Sequence, residues 1–154
     1  MTSWVPSEAI RKSHSGVRGI TRLRSIHDTL ARLAPDSPHR PSWIHQLGIL
    51  AQFWGDPEQA ERCYQQSLQI LERLGDQVGM ASGWSWLGDL AGERQQFADA
   101  TVWYIRALLM RIHLQIPEVA YNVHALVALR VRIGSGDFVA AARTVVDETQ
   151  LAEI

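Results

Sequence analysis

Six histidines are the residues of this chain best suited to hold a metal ion. A metal site on a helix needs a second ligand three or four residues along the chain, but Gly48 and Ile49 occupy those positions after His45. His113 and His124 fall on different predicted helices, without paired carboxylates nearby in the sequence. The sequence therefore predicts no metal site.

Nucleophilic or acid–base chemistry would depend on Cys63 or on the pair Asp89 and Glu93. Cys63 is the only cysteine, which excludes an intrachain disulfide and a zinc site built on cysteines, and no Cys–His spacing matches a catalytic signature. Asp89 and Glu93 share a helix face, where an acidic lining or plain solvation is a commoner role than catalysis. The Gly-Ser-Gly segment 134–136 follows a helix and no strand, so it is not a phosphate loop. We expect no enzymatic activity and no cofactor.

Composition gives no sign of a nucleic-acid or membrane partner. The 154 residues carry a formal net charge of −1, so bulk electrostatics favour no polyanion. No apolar run of about 18 residues could span a membrane. Lys12, His14 and Arg18 interrupt the stretch where a signal peptide would be apolar. We expect one domain with a real core, located in the cytoplasm of a bacterium.

One stretch of the chain, residues 82–108, occurs nearly three times. The residues that match at a spacing of 40 are Leu87 and Leu47, Gly88 and Gly48, Leu90 and Leu50, Ala91 and Ala51, Ala100 and Ala60, Tyr104 and Tyr64, and Leu108 and Leu68. A weaker third copy follows after one inserted residue near 134–136, where Phe138 and Ala141 match Phe97 and Ala100. A fixed period of this length is typical of solenoid proteins.

The repeat resembles the tetratricopeptide (TPR) pattern, with Trp, Leu-Gly and Tyr on a first helix and Ala, Phe and Ala on a second. The middle copy carries it through Trp84, Leu87, Gly88, Ala91 (where Tyr is usual), Ala100, Tyr104 and Ala107. The first copy has Ile44, Leu47, Gly48, Ala51, Ala60, Tyr64 and Ser67, and the degraded third has His124, Val127, Ala128, Val131, Ala141 and Val145. The family's closing proline is missing from the first two copies. The spacing of 40, against the family's usual 34, resembles the long-repeat TPR arrays of bacterial regulators.

The resemblance implies an all-α fold, a right-handed α-solenoid of TPR-like helix hairpins with about seven helices. The predicted division is a flexible N-terminal tail (1–16) and a single TPR-like domain (17–154), made of a half repeat or cap (17–34), repeat 1 (42–81), repeat 2 (82–121) and a degenerate repeat 3 (122–154). The predicted helices are 17–34, 41–54, 57–74, 77–93, 97–114, 117–133 and 137–151. The helix 117–133 is apolar almost all round, which predicts burial on all sides.

Local signals support these boundaries. Asp56 is the expected N-cap of a helix that starts at Pro57, and Gly75 is its expected left-handed C-cap. Gly48 and Gly88 are expected to leave room for a paired helix.

The half repeat 17–34 carries several arginines outside its apolar face. They are Arg18, Arg22, Arg24 and Arg32. We interpret them as a solvated face in preference to a nucleic-acid contact, because no aromatic platform is interleaved with them.

In TPR proteins the first helices line a concave groove, and the resemblance places ten residues there. They are His45, Gln46, Ile49, Phe53, Trp86, Asp89, Glu93, Asn122, Leu126 and Leu129. The Lys and Arg of the family's carboxylate clamp are absent from these positions. The lining is aromatic and aliphatic with one acidic spot, which suits an amphipathic helix or an extended apolar segment bearing a basic residue. Alternatively, Leu126, Leu129 and Ile133 are covered by the chain's own termini.

These features predict a non-enzymatic protein–protein interaction module or scaffold that binds a protein or peptide, with Trp86 at the centre of the groove. Two alternatives remain open: a ligand- or peptide-sensing domain of a bacterial regulator, and an accessory subunit of an enzyme. Homodimerisation through repeat 3 is a further expectation, and Leu126→Glu is the change expected to test it.

Overall fold

The structure is a computed structural model that describes Val5, residues 14–117 and residues 119–152. Every regular element in these residues is an α-helix, which confirms the predicted all-α class. The tail predicted over residues 1–16 lies outside the described residues, apart from Val5 and the first residues of the first helix.

The described residues form six helices. They are α1 His14–Arg32, α2 Arg40–Phe53, α3 Pro57–Leu74, α4 Gln77–Glu93, α5 Phe97–His113 and α6 Ala120–Ala152. Gly134 interrupts α6 with φ 82° and ψ 162°, so α6 consists of two helical segments, as the Gly-Ser-Gly turn predicts. The chain divides into two compact units, unit 1 ending at Gly75 and unit 2 beginning at Asp76. Unit 1 contains α1 to α3, and unit 2 contains α4 to α6.

The ends of α3 form as the sequence predicts. The Asp56 carboxylate accepts a hydrogen bond from the Gln59 backbone N–H at 3.0 Å, and Pro57 is the first helical residue. Gly75 ends the helix with φ 68°, a left-handed conformation that costs glycine little. Asp76 caps α4 in the same way as Asp56 caps α3. These short-range bonds set where the helices of each hairpin begin and end.

Unit 1 is built on an apolar cluster that α1, α2 and α3 share. It consists of Leu23, Ile26, Leu30, Ile44, Leu47, Leu50, Cys63 and Ile70, with Trp43 and Trp54 packed against it. At the C-terminal end of α1, the Arg40 guanidinium donates to the carbonyl oxygens of Leu30 at 2.9 Å and Leu33 at 3.1 Å. Carbonyls in the last turn have no partner within their helix, so Arg40 both satisfies them and ties α2 to α1.

In each unit, two consecutive helices pack together through a tyrosine ring that lies on a glycine. A Cβ on Gly48 would lie 2.4 Å from Tyr64 Cε1, and a Cβ on Gly88 would lie 2.9 Å from Tyr104 Cε1. Non-bonded carbon atoms prefer separations of about 3.5–4 Å. The prediction that these glycines leave room for the paired helix is therefore confirmed.

Unit 2 has its own apolar cluster, to which α6 contributes only one face. The cluster consists of Ala91, Ala100, Tyr104, Leu126 and Leu129, with Phe97, Trp103, Ile105, Leu108, Ala125 and Phe138 packed against it. The prediction that the first segment of α6 is buried on all sides is wrong. Val123, Val127 and Val131 are 40%, 58% and 83% exposed. Only the face that meets α4 and α5 is covered, and the valine face is open.

Two glycines one turn apart on α4 test the glycine–tyrosine contact. We expect Gly88→Ala to lower the free energy of unfolding by about 1–3 kcal/mol, because the new methyl group overlaps the Tyr104 ring. Gly92→Ala is the matched control: nothing lies within 4 Å of the position that its Cβ would occupy. Replacing that helix glycine should stabilise by up to about 1 kcal/mol. Urea denaturation measures both variants, and equal stabilisation by the two would contradict the contact.

Candidate functional site

Three of the predicted groove residues share an open face of α2. Gln46, Ile49 and Phe53 follow one another at spacings of three and four, which places them on one side of the helix. Ile49 is 40% exposed and Phe53 is 70% exposed, whereas Gln46 is half-buried. These three residues are called the α2 face below.

A depression of about 580 Å³ lies between α1 and the first half of α2. Its lining consists of Arg22, Ser25, Ile26, His39, Ser42, Trp43 and Gln46. The Arg22 guanidinium donates to the Gln46 side-chain oxygen at 2.6 Å and so bridges the two helices. Gln46 belongs to both the depression and the α2 face, which makes the two surfaces continuous. Arg22 was absent from the predicted groove because 24 residues separate it from Gln46, and no local pattern links them.

His45, also predicted to line the groove, lies against the partner helix of its hairpin. Its ring centroid is 5.3 Å from that of Tyr64, at an interplanar angle of 38°. The Tyr64 hydroxyl donates to the Gln52 side chain at 2.8 Å, which holds the ring in place. Burial lowers the pKa of His45 from 6.5 to about 4, so the imidazole is neutral at pH 7.

In unit 2, the Asp89 carboxylate joins all three helices. It accepts a hydrogen bond from the Tyr104 hydroxyl at 2.5 Å and another from the Tyr121 hydroxyl. The two rings meet edge to face, with their centroids 6.3 Å apart. Burial, followed by the bond to Asp89, raises the pKa of both tyrosines, so both hydroxyls keep their protons. The predicted acidic lining residue is therefore hydrogen-bonded inside its own unit.

Asn122, Leu126 and Leu129 also lie inside unit 2, not on an open wall. Asn122 is fully buried; its amide nitrogen donates to the Ser85 hydroxyl at 3.0 Å, and its oxygen accepts from Arg111. Leu126 and Leu129 are buried in the apolar cluster of the unit. The resemblance places these three residues on the wall of a groove, whereas in the structure their face of α6 packs against α4 and α5. The roles of Tyr121 and Arg111 had no sequence signal, since both bonds depend on how the helices pack.

The remaining two predicted groove residues are on α4. Trp86 is half-buried, as is Trp84, so burial does not separate a groove tryptophan from a core tryptophan. Glu93 is exposed at the last residue of the helix. The placement of Trp86 at the centre of a groove stays a prediction.

Metal chemistry needs clustered ligands, and thiol chemistry needs an accessible thiolate. No group of three or more His, Cys, Asp or Glu side chains among them could hold a metal ion. Cys63 is buried, and burial raises the pKa of its thiol, so little reactive thiolate forms at neutral pH. No helix in the described part of the chain is long and apolar enough to cross a membrane.

No protein-family model matches the chain, and no curated protein matches it.

The buried His45 should make stability depend on pH. The unfolded chain binds a proton at this residue below about pH 6.5, whereas the folded chain binds it only below about pH 4. Stability should therefore fall as the pH drops through this window, by roughly 1–2 kcal/mol after allowance for partial exposure. Urea denaturation at pH 7 and pH 4.5 measures the loss. It should be smaller in His45→Gln and unchanged in His124→Gln, an exposed control; an unaltered loss in His45→Gln would contradict the assignment.

Proposed function

We propose that the chain is a non-enzymatic protein–protein interaction module or scaffold that binds a helical or extended apolar segment of a partner. The observation that carries this proposal is the open pair Ile49 and Phe53 on the α2 face. Fully burying a phenylalanine side chain against a partner contributes about 1.5–3 kcal/mol to the stability of a complex. The setting that we propose is the cytoplasm, as the sequence predicts.

The dimensions of α2 suit a short linear segment. At about 1.5 Å per residue, the helix rises roughly 16 Å from Ser42 to Phe53. An extended peptide covers that length with about five residues, and a partner helix with about three turns. A short segment can therefore contact both the depression and the apolar pair.

The finer fold that we propose is a right-handed α-solenoid of TPR-like hairpins, with α1 as the N-terminal half repeat. It is supported by the recurrence of one contact: Gly48 with Tyr64 in the α2–α3 hairpin and Gly88 with Tyr104 in the α4–α5 hairpin. Both pairs have the same spacing, and the sequence repeat places them 40 residues apart. Two hairpins with the same internal contact are the units from which a solenoid is built.

A second candidate function is a sensory domain for a small ligand or peptide, and the depression between α1 and α2 supports it. Its volume of about 580 Å³ falls within the range of roughly 300–1,000 Å³ that is common for small-molecule sites. The two functions differ in what occupies the site, a segment of a large partner or a diffusible ligand.

The open α2 face makes Phe53 the variant of choice. We expect Phe53→Ser to weaken partner binding at least tenfold, because an apolar anchor is lost, and to change the free energy of unfolding by less than about 0.5 kcal/mol. Affinity capture from the native host, quantified by mass spectrometry, identifies partners of the wild-type chain, and titration with a captured partner gives the affinity. Ile112→Ser, an exposed apolar residue on α5, is the control. A variant at Phe53 that binds as the wild type does would contradict the proposal.

A second copy of the chain is the partner that we propose for the valine face of α6. Val123, Val127 and Val131 recur every four residues, and a two-fold axis through Val127 would pair Val123 with Val131 of the second copy. This pairing retains the expected homodimerisation through repeat 3. It transfers the contact from Leu126, which is buried in unit 2, to the adjacent open face.

The test of this dimer uses two valines of nearly equal exposure. Val127→Glu should convert the dimer to a monomer, because two carboxylates would face each other across the axis. Val78→Glu places the same charge on α4, where Val78 is 57% exposed and Val127 is 58% exposed, and should leave the mass unchanged. Light scattering at high concentration measures the mass. A wild-type chain that remains monomeric would overturn the dimer.

A further inference from the structure

We propose that the depression between α1 and α2 binds the carboxylate of an acidic side chain in a partner segment, with Arg22 as the charged contact. The proposal rests on the interaction function above and names the partner chemistry of one part of that surface.

The charge of Arg22 is not neutralised by a carboxylate in the described part of the chain. Its one hydrogen bond there goes to the Gln46 amide oxygen, which is a neutral acceptor. A guanidinium has five N–H donors, so most of its hydrogen-bonding capacity stays available. The exposed acidic residues nearest in sequence are Asp28 and Asp36, and neither lines the depression. An incoming carboxylate would therefore meet a cation that no described carboxylate opposes.

Further donors surround Arg22. The hydroxyl groups of Ser25 and Ser42 and the imidazole of His39 line the same depression. Ser25 and His39 form hydrogen bonds through their backbone atoms. Among the described residues, none forms a hydrogen bond with the side chain of Ser25, His39 or Ser42. A carboxylate has two oxygens that can accept several such bonds, and bonds to a charged group are stronger than those between neutral groups.

Trp43 and Ile26 provide the apolar part of the lining. Trp43 is half-buried and packs on the cluster of unit 1, which fixes the position of its ring. Side chains of Glu and Asp carry methylene groups next to the carboxylate, and these would contact the tryptophan while the oxygens reach Arg22. The lining therefore matches an amino-acid side chain better than a bare inorganic anion.

A carboxylate fits the site better than a phosphate group. A phosphorylated side chain carries a charge of about −1.5 to −2 at pH 7, and proteins usually recognise it with a cluster of arginines. Among the described residues of its lining, the depression presents one guanidinium, that of Arg22, and no lysine or second arginine. One positive charge complements one carboxylate.

The geometry also sets a spacing between the acidic residue and an apolar one. Gln46 borders the depression, and Phe53 lies seven residues further along α2. That separation is about 10 Å along the helix, which an extended peptide spans with about three residues. The partner segment should therefore carry Glu or Asp about three positions from a large apolar residue.

Two capped peptides test the inference: acetyl-Glu-Ala-Ala-Leu-amide and acetyl-Gln-Ala-Ala-Leu-amide. Each is titrated into the full chain and followed by NMR of the Trp43 indole N–H. We expect the Glu peptide to bind at least fivefold more tightly than the Gln peptide, and the ratio to shrink as salt is added. Arg22→Gln should reduce the ratio to about one. Arg24→Gln, which removes another exposed arginine two residues along α1 and therefore on a different side of the helix, should preserve it.

Three results with the peptides would overturn the inference: equal binding of the two peptides, binding of neither at millimolar concentration, or a ratio that survives Arg22→Gln. Inorganic phosphate binding more tightly than the Glu peptide would also overturn it, in favour of a phosphorylated partner. The proposed function fails separately, when Phe53→Ser leaves partner binding unchanged. Because Arg22 is exposed, Arg22→Gln should melt at the wild-type temperature, which verifies that the variant is folded.

Discussion

The contact between a tyrosine ring and a helix glycine is the constraint on which both units depend. Glycine in a helix costs about 1 kcal/mol relative to alanine, yet Gly48 and Gly88 stand where any side chain would strike the paired helix. The buried rings of Tyr64 and Tyr104 offset that cost through apolar contact. The contact also fixes the position of the tyrosine hydroxyl. The polar side chain nearest to that position therefore becomes its hydrogen-bond acceptor, and this acceptor differs between the two hairpins.

The two hairpins use that hydroxyl differently. Tyr64 donates to Gln52 within its own hairpin, whereas Tyr104 donates to Asp89, which also accepts from Tyr121 on α6. Asn122 adds a second polar link between α4 and α6. Hydrogen bonds between helices favour one packing arrangement, because a buried amide such as that of Asn122 would cost about 1–3 kcal/mol if it were left without a partner. Unit 2 therefore uses its central polar side chains to position α6.

The sequence predicts well those features that depend on neighbours along the chain. The cap at Asp56, the left-handed Gly75 and the room left by Gly48 and Gly88 all follow from local chemistry or from the repeat. The orientation of α6 does not follow from local chemistry or from the repeat. Leu126 is buried and Val127 is open, yet both belong to a segment that is apolar almost all round. Adjacent helix residues point about 100° apart, and such a pattern does not indicate which face turns inward.

The charge that a partner should carry changes for a related reason. From the sequence, Asp89 suggests an acidic spot that selects a basic residue, and Arg22 suggests a solvated surface. In the folded chain, Asp89 accepts hydrogen bonds from two tyrosine hydroxyls. Arg22 instead lies beside the neutral amide of Gln46, in a depression that Trp43 also lines. A carboxylate with two hydroxyl donors has satisfied much of its hydrogen-bonding capacity, whereas a guanidinium bonded to one neutral oxygen keeps its charge available. If the depression binds a partner segment as proposed, Arg22 is the group in its described lining that selects the charge of that segment, and it favours an acidic residue.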